Sequence, residues 1–265
     1  MLIAVCSIKG SPGVTTLSVA LAAVWPDRQA ECMVVEVDPA GGDIGTWFDL
    51  PLTPGLVSIA ARSRLDDDPE LVWRHVQRLP GGLPVVPAPV RADQARAALT
   101  TLDAAHLRRA SEPEHAVVVA DCGRLDAGSP ATPIAAAADR TLVVTRAQTT
   151  DLMHVASRVP DLVRTFHDLH LVLVGHGHAP DEVARDLGVP IIGTAPDDRR
   201  DAALLAGSPM PRTSWLSRRR LSRSAARIAA ALAAAAPEPA PAAWDDLDLA
   251  GAAEPNGHGP ARGRP

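Results

Sequence analysis

Met1-Leu2-Ile3-Ala4-Val5-Cys6-Ser7-Ile8-Lys9-Gly10-Ser11-Pro12-Gly13-Val14-Thr15-Thr16 is the stretch whose reading decides the fold. Leu2–Ser7 reads as a buried strand, and Thr15–Val24 carries the periodicity of a helix. Between them lies a glycine-bearing turn, the setting a phosphate loop requires. Gly10 and Gly13 permit tight turns, so successive amide groups can point into one concavity. The helix opening near Val14 adds its N-terminal dipole, which favours an anion there. Thr15 is placed to offer its hydroxyl to a magnesium ion, and Thr16 to an α-phosphate. A strand-to-helix turn that binds no phosphate is an equally open reading of this loop taken alone.

Charge usage sharpens the reading. Lys9 is the only lysine among 26 basic residues, the rest being arginine. Lysine works as a compact point charge among phosphate oxygens, whereas arginine presents a broad planar fork. An ordinary phosphate loop also has a lysine just before its Ser/Thr. Here Val14 stands between Gly13 and Thr15 instead.

Two carboxylates reinforce the loop. Val34-Val35-Glu36-Val37-Asp38-Pro39-Ala40-Gly41-Gly42-Asp43 ends a second strand and delivers Asp38 to the same sheet edge. Val117-Val118-Val119-Ala120-Asp121-Cys122-Gly123 ends a later strand and delivers Asp121. Acids at strand ends beside a phosphate loop suit a hydrated magnesium ion and an attacking water. Each could also serve as a loop or helix cap.

Further short apolar runs at Cys32–Val37, Leu83–Val86, Ala116–Ala120, Arg140–Thr145, Leu169–Val174 and Pro190–Gly193 read as strands. Helical segments are expected at Pro69–Gln77, Ala92–Arg109, Thr149–Phe166 and Asp181–Leu187. The alternation predicts an α/β fold, a doubly wound and mostly parallel sheet with helices on both faces. One domain is expected over 1–235. The Pro/Ala/Gly-rich segment 236–265 reads as a disordered tail, with Trp244-Asp245-Asp246-Leu247 as a candidate docking element.

Composition limits the function classes. A net charge of −5 gives no general reason to expect nucleic-acid binding. Cys6, Cys32 and Cys122 lie in or beside apolar runs without metal-ligand or disulfide spacing, so buried reduced thiols are expected. The N-terminus reads as a strand and not as a signal peptide, and no charge-free apolar stretch reaches a membrane span. A cytoplasmic location follows, peripheral association at a membrane or nucleoid staying open. The helix candidate Thr213–Ala235 carries Arg218, Arg219, Arg220, Arg223 and Arg227. It is read as covering the sheet with its Ala/Leu face while exposing arginines; contact with DNA or anionic lipid is the other reading.

With these residues in place, the chain resembles the MinD/ParA-type ATPases, whose deviant phosphate loop has the form Lys-Gly-Gly-x-Gly-Lys-Ser/Thr-Thr. The resemblance spans about residues 1–232 and also includes Ala138–Thr145 and Gly193-Thr194-Ala195-Pro196-Asp197-Asp198. It implies ATP and Mg2+ as cofactors and a nucleotide-dependent homodimer. Lys9 would be the signature lysine and Asp38 the water-positioning acid, with Gly10, Ser11, Pro12, Gly13, Val14, Thr15 and Thr16 cradling the phosphates. Thr15 and Asp121 would hold the metal, and Pro196 would wall the adenine.

Within that family the chain looks most like CpaE/TadZ-type proteins, which localise pilus or secretion machinery; chromosome or plasmid partitioning is the nearby alternative. Ser11 replaces a glycine. Val14 replaces the lysine that grips the β- and γ-phosphates, so weak or slow hydrolysis is expected. A non-hydrolysing scaffold and a metabolic enzyme of the same superfamily stand as alternatives. His176 and His178 fall where relatives often read adenine with an asparagine, and are expected to be exposed loop residues.

Overall fold

The computed structural model describes residues 1–65, 68–206 and 219–234. Eight strands form one sheet in the order β3-β4-β2-β5-β1-β6-β7-β8. They are β1 (Leu2–Ser7), β2 (Glu31–Glu36), β3 (Gln77–Arg78), β4 (Pro84–Val86), β5 (Ala116–Arg124), β6 (Arg140–Arg146), β7 (Leu169–Val174) and β8 (Ile191–Ala195). All pairings are parallel except β3 with β4. β1 is central because it is buried along its whole length; such strands read as continuous apolar runs. The chain leaves β1 toward β2 on one side and, after β5, crosses to β6 on the other. That reversal opens a crevice at the carboxyl ends of β1, β2 and β5, where ligands of such sheets bind.

Two apolar layers sandwich the sheet, as alternate residues of each strand point to opposite faces. One layer gathers Ile3, Val5, Val34, Val119 and Val144 beneath α1 (Val14–Ala23), α10 (Arg199–Leu205) and α11 (Arg220–Ala234). The other gathers Leu2, Ala4, Cys6, Val118 and Leu171 beneath α3 (Leu56–Arg62), α4 (Ala92–Thr101), α5 (Ala104–Ala110), α6 (Thr132–Ala136), α7 (Thr149–Ala156), α8 (Val159–Thr165) and α9 (Pro180–Leu187). A short turn, α2 (Ile44–Trp47), follows β2. The single-domain, doubly wound architecture matches the expectation.

Local differences have physical causes. The helix expected at 69–77 is one 3-10 turn, Trp73–His75, which runs into the antiparallel edge strand β3. Trp73 is tied there by its indole N–H to Ala110 O at 2.9 Å. The helix expected over 92–109 breaks at Leu102-Asp103, where Asp103 accepts from the Ala105 N–H and caps α5. The one expected over 149–166 breaks at Ser157-Arg158, and Pro160 sits in the first turn of α8, where a missing N–H costs nothing. Of the helix proposed at 213–235, the described part is α11. Arg218 and the segment 236–265 lie outside the described residues.

Candidate functional site

The loop between β1 and α1 stands at the crevice. Gly13 caps α1 in the left-handed conformation, φ 95°, with no side-chain cap, and the first turn holds no acid. The first N–H groups of the helix thus have no side-chain cap among the described residues and are free to meet a ligand. Lys9, Gly10 and Ser11 are exposed, Pro12 is buried, and Thr15 and Thr16 are half-buried. Val14 is 6% exposed and belongs to the apolar layer beneath α1.

Asp38 and Asp121 both come to this loop. With Gly10, Thr15, Gly123 and Arg124, Asp38 lines a cleft of about 370 Å³ on the β5 side. The Asp38 Oδ1 accepts from the Ala40 N–H at 2.7 Å. Burial raises its pKa, with the Ala40 N–H opposing and Asp43 adding to the rise.

Asp121 lies in β5 beside Thr15, paired in register with Val5 of β1. It is fully buried; Oδ1 accepts from the Gly123 N–H at 3.2 Å, while Oδ2 has no hydrogen-bond partner among the described residues. Burial first, and then the neighbouring Glu36 charge, push its pKa up to about 8, while the Thr15 hydroxyl lowers it. A buried carboxylate oxygen left without a donor, next to a threonine hydroxyl, is the oxygen-ligand chemistry a magnesium ion takes. Thr15 and Asp121 therefore fit the ion they were expected to hold.

A second cleft, about 300 Å³, lies on the other side of the loop. Gly13, Thr16, Arg146, Pro196 and Asp198 are among its walls. Pro196 thus faces the loop from the end of β8. The loop forms a ridge between the two clefts, with Gly13 and Thr16 lining both. Lys9 lines neither cleft and makes no hydrogen bond or ion pair with the described residues.

Sequence reading overlooked two residues here. Glu36 is buried; its Oε1 accepts from the Asp43 and Ile44 N–H groups and its Oε2 from the Ala88 N–H. These three bonds fasten the Asp38-bearing loop to the end of β4. Burial nevertheless lifts the Glu36 pKa to about 7. The other is Arg146, whose Nη2 donates to the Ser11 carbonyl at 3.5 Å. An acid at a strand end before a Gly-Gly turn was a visible signal for Glu36. Arg146 lies 135 residues from Ser11 and had none.

Beyond Pro196, which borders both spaces, Arg220, Arg223 and Arg227 of α11 line a cavity of about 560 Å³ with His176 and His178. Both histidines are exposed. His178 meets Thr149 Oγ1 at 2.9 Å and Glu182 at 3.4 Å. The described residues hold no cluster of three or more metal-ligating side chains. The apolar face of α11, Leu221, Ala225, Ile228 and Leu232, is buried, while its three arginines are exposed. No helix among the described residues is long and apolar enough to cross a membrane.

A mostly parallel sheet carrying a glycine loop between β1 and α1, with one acid just past β2 and another within β5, is the arrangement of the P-loop nucleotide triphosphatase fold. More narrowly, it is the MinD/ParA form of that fold. No protein-family model matches the chain, and no curated protein matches it in sequence. The MinD cell division ATPase of Pyrococcus furiosus is similar with a TM-score of 0.69 at 16% identity, over 88% of this chain and 98% of its own. A ParA family ATPase from Chlorobium tepidum gives 0.69 and 16%, over 86% and 97%. The septum site-determining protein MinD of Pyrococcus horikoshii, complexed with Mg-ADP, gives 0.63 and 13%, over 86% and 93%. At these identities the likeness is one of fold.

Proposed function

We propose that this chain is an ATP-binding switch of the MinD/ParA kind, which dimerises around nucleotide and positions a partner complex. The reading rests above all on the Asp121 Oδ2, a buried carboxylate oxygen with no donor among the described residues, beside Thr15 of the phosphate-type loop. Thr15 and Asp121 would hold Mg2+, and the backbone N–H groups of Gly10, Ser11, Gly13, Val14, Thr15 and Thr16 would hold the phosphates, with Pro12 shaping the turn. Asp38, at the cleft wall, would orient water, and Pro196 would border the base. Magnesium, when bound, supplies positive charge to the phosphate oxygens. A solved protein of this fold holds Mg-ADP, which supports the cofactor choice. The partner is pilus or secretion machinery by the CpaE/TadZ likeness, or a partitioning complex. The exposed arginines of α11 offer a face to DNA or an anionic membrane. Size-exclusion chromatography with light scattering tests the switch: ATP and Mg2+ produce a dimer that ADP does not. An unchanged monomer with ATP sinks it. Co-sedimentation with DNA or anionic vesicles, with and without residues 213–235, tests the arginine face.

Val14 favours a second reading, a scaffold that binds nucleotide without turning it over. Its side chain lies in the apolar layer and offers no charge to a transition state. Val14→Lys is expected to raise turnover by about one to two orders of magnitude. A wild-type rate that Val14→Lys leaves unchanged contradicts this reading.

A further inference from the structure

The loop lacks its own second lysine, yet another cation has its head group against it. β6 lies directly beside β1 with Cys6 opposite Val143, and that register carried three residues on brings Arg146 alongside the loop. Its Nη2 donates to the Ser11 carbonyl at 3.5 Å. Its Nη1 lies 3.3 Å from where a Cβ on Gly10 would stand. A guanidinium has five donors, and this long bond engages one of them. Arg146 forms no ion pair with the described residues, although Asp197 lines the same cleft. The other arginines near the loop are placed differently. Arg96, on α4, and Arg124 open on the Asp38 cleft on the other side of the loop, and Arg124 is paired with Asp126 at 3.0 Å. Arg199 stands on α10 beyond Pro196.

We infer that Arg146 is a phosphate-binding residue, supplying from β6 the positive charge that Val14 has removed from the loop itself. The ligand is the polyphosphate of a nucleoside di- or triphosphate, so the inference rests on the nucleotide-binding reading above. Arginine suits the task because its planar fork engages two phosphate oxygens at once and keeps its charge at any physiological pH. The Ser11 carbonyl holds the guanidinium beside the loop through a bond long enough to yield to an anion. The arrangement also accounts for an apolar residue being tolerated at position 14: the charge comes from the neighbouring strand.

Affinity of the full chain for Mg-ATP and Mg-ADP, measured by calorimetry, tests this. Arg146→Ala is expected to weaken both by roughly 10- to 100-fold, the loss of a charged hydrogen-bonding group. Arg146→Lys loses less, and adding Val14→Lys to Arg146→Ala recovers affinity, a rescue that a merely structural arginine would not show. Melting temperatures without nucleotide stay together; should Arg146→Ala unfold, Arg146→Gln carries the same comparison. Wild-type binding with Arg146→Ala within about twofold of it overturns the inference and leaves the nucleotide reading standing. No binding by the wild type overturns that reading, and this inference with it.

Discussion

The Asp38 carboxylate rests directly on the backbone of Gly123: a Cβ built on Gly123 would stand 1.9 Å from Asp38 Oδ2. Gly123 also has φ +57°, in the left-handed region. The end of β5 thus seats the acid from β2 at a fixed place beside the loop. Gly123→Ala is expected to displace Asp38 and to cost about 1–3 kcal/mol of stability through backbone strain and overpacking. Urea denaturation measures the cost, and ATP turnover reports the displaced acid. Unchanged stability would show that Asp38 has room to move.

Glu36 sets a pH dependence whose sign is opposite to that of most carboxylates. Its folded pKa of about 7 lies above the ordinary 4.5, raised by burial. The native state therefore holds the proton more tightly than the unfolded chain, and stability falls as pH rises through that window. Asp121, pushed up to about 8, acts in the same direction. Relative to Glu36→Gln, the wild type without Mg2+ is expected to lose stability between these limits, as read by denaturation across pH. A difference that grows with pH in favour of the wild type contradicts the assignment.

Asp121→Asn removes a charge that burial and Glu36 both oppose. The melting temperature at pH 8.5 is expected to rise while Mg2+-dependent nucleotide affinity drops by roughly 10-fold or more. Such a trade is common where a strained group serves a ligand. Equal Mg2+ dependence in variant and wild type would remove Asp121 from the metal site.

All three cysteines are buried and free. Burial pushes the Cys6 and Cys32 thiols up to about 12 and the Cys122 thiol well above its usual range. Because the thiolate is the reactive form, a disulfide-exchange reagent is expected to label no cysteine in the native protein and all three in denaturant. Rapid native labelling would contradict the packing.

Much of this was legible in the sequence because the signals were local. Leu2–Ser7 and Leu169–Val174 were read to the residue, since strands buried on both faces leave nearly continuous apolar runs, broken in the second only by half-buried His170. Asp38 and Asp121 could be placed beside the loop because each follows such a run. The edge strand β3 was invisible: Gln77 and Arg78 are polar, and their pairing with β4 is set across a turn. The long helices at 92–109 and 149–166 hid their breaks, because an Asp cap or a first-turn proline preserves the apolar periodicity on either side. The carboxylate clamp of Glu36 reaches Ala88, 52 residues away, and Arg146 reaches Ser11 only through the β1–β6 pairing. Contacts that depend on sheet order cannot be spelled out by neighbouring residues.

Calorimetric titration of the full chain with ATP in the presence of Mg2+ tests the central claim most directly. The account predicts a saturable isotherm with one nucleotide per chain, weakened in Asp121→Asn and again when Mg2+ is removed. A flat titration with folded wild-type protein would contradict it.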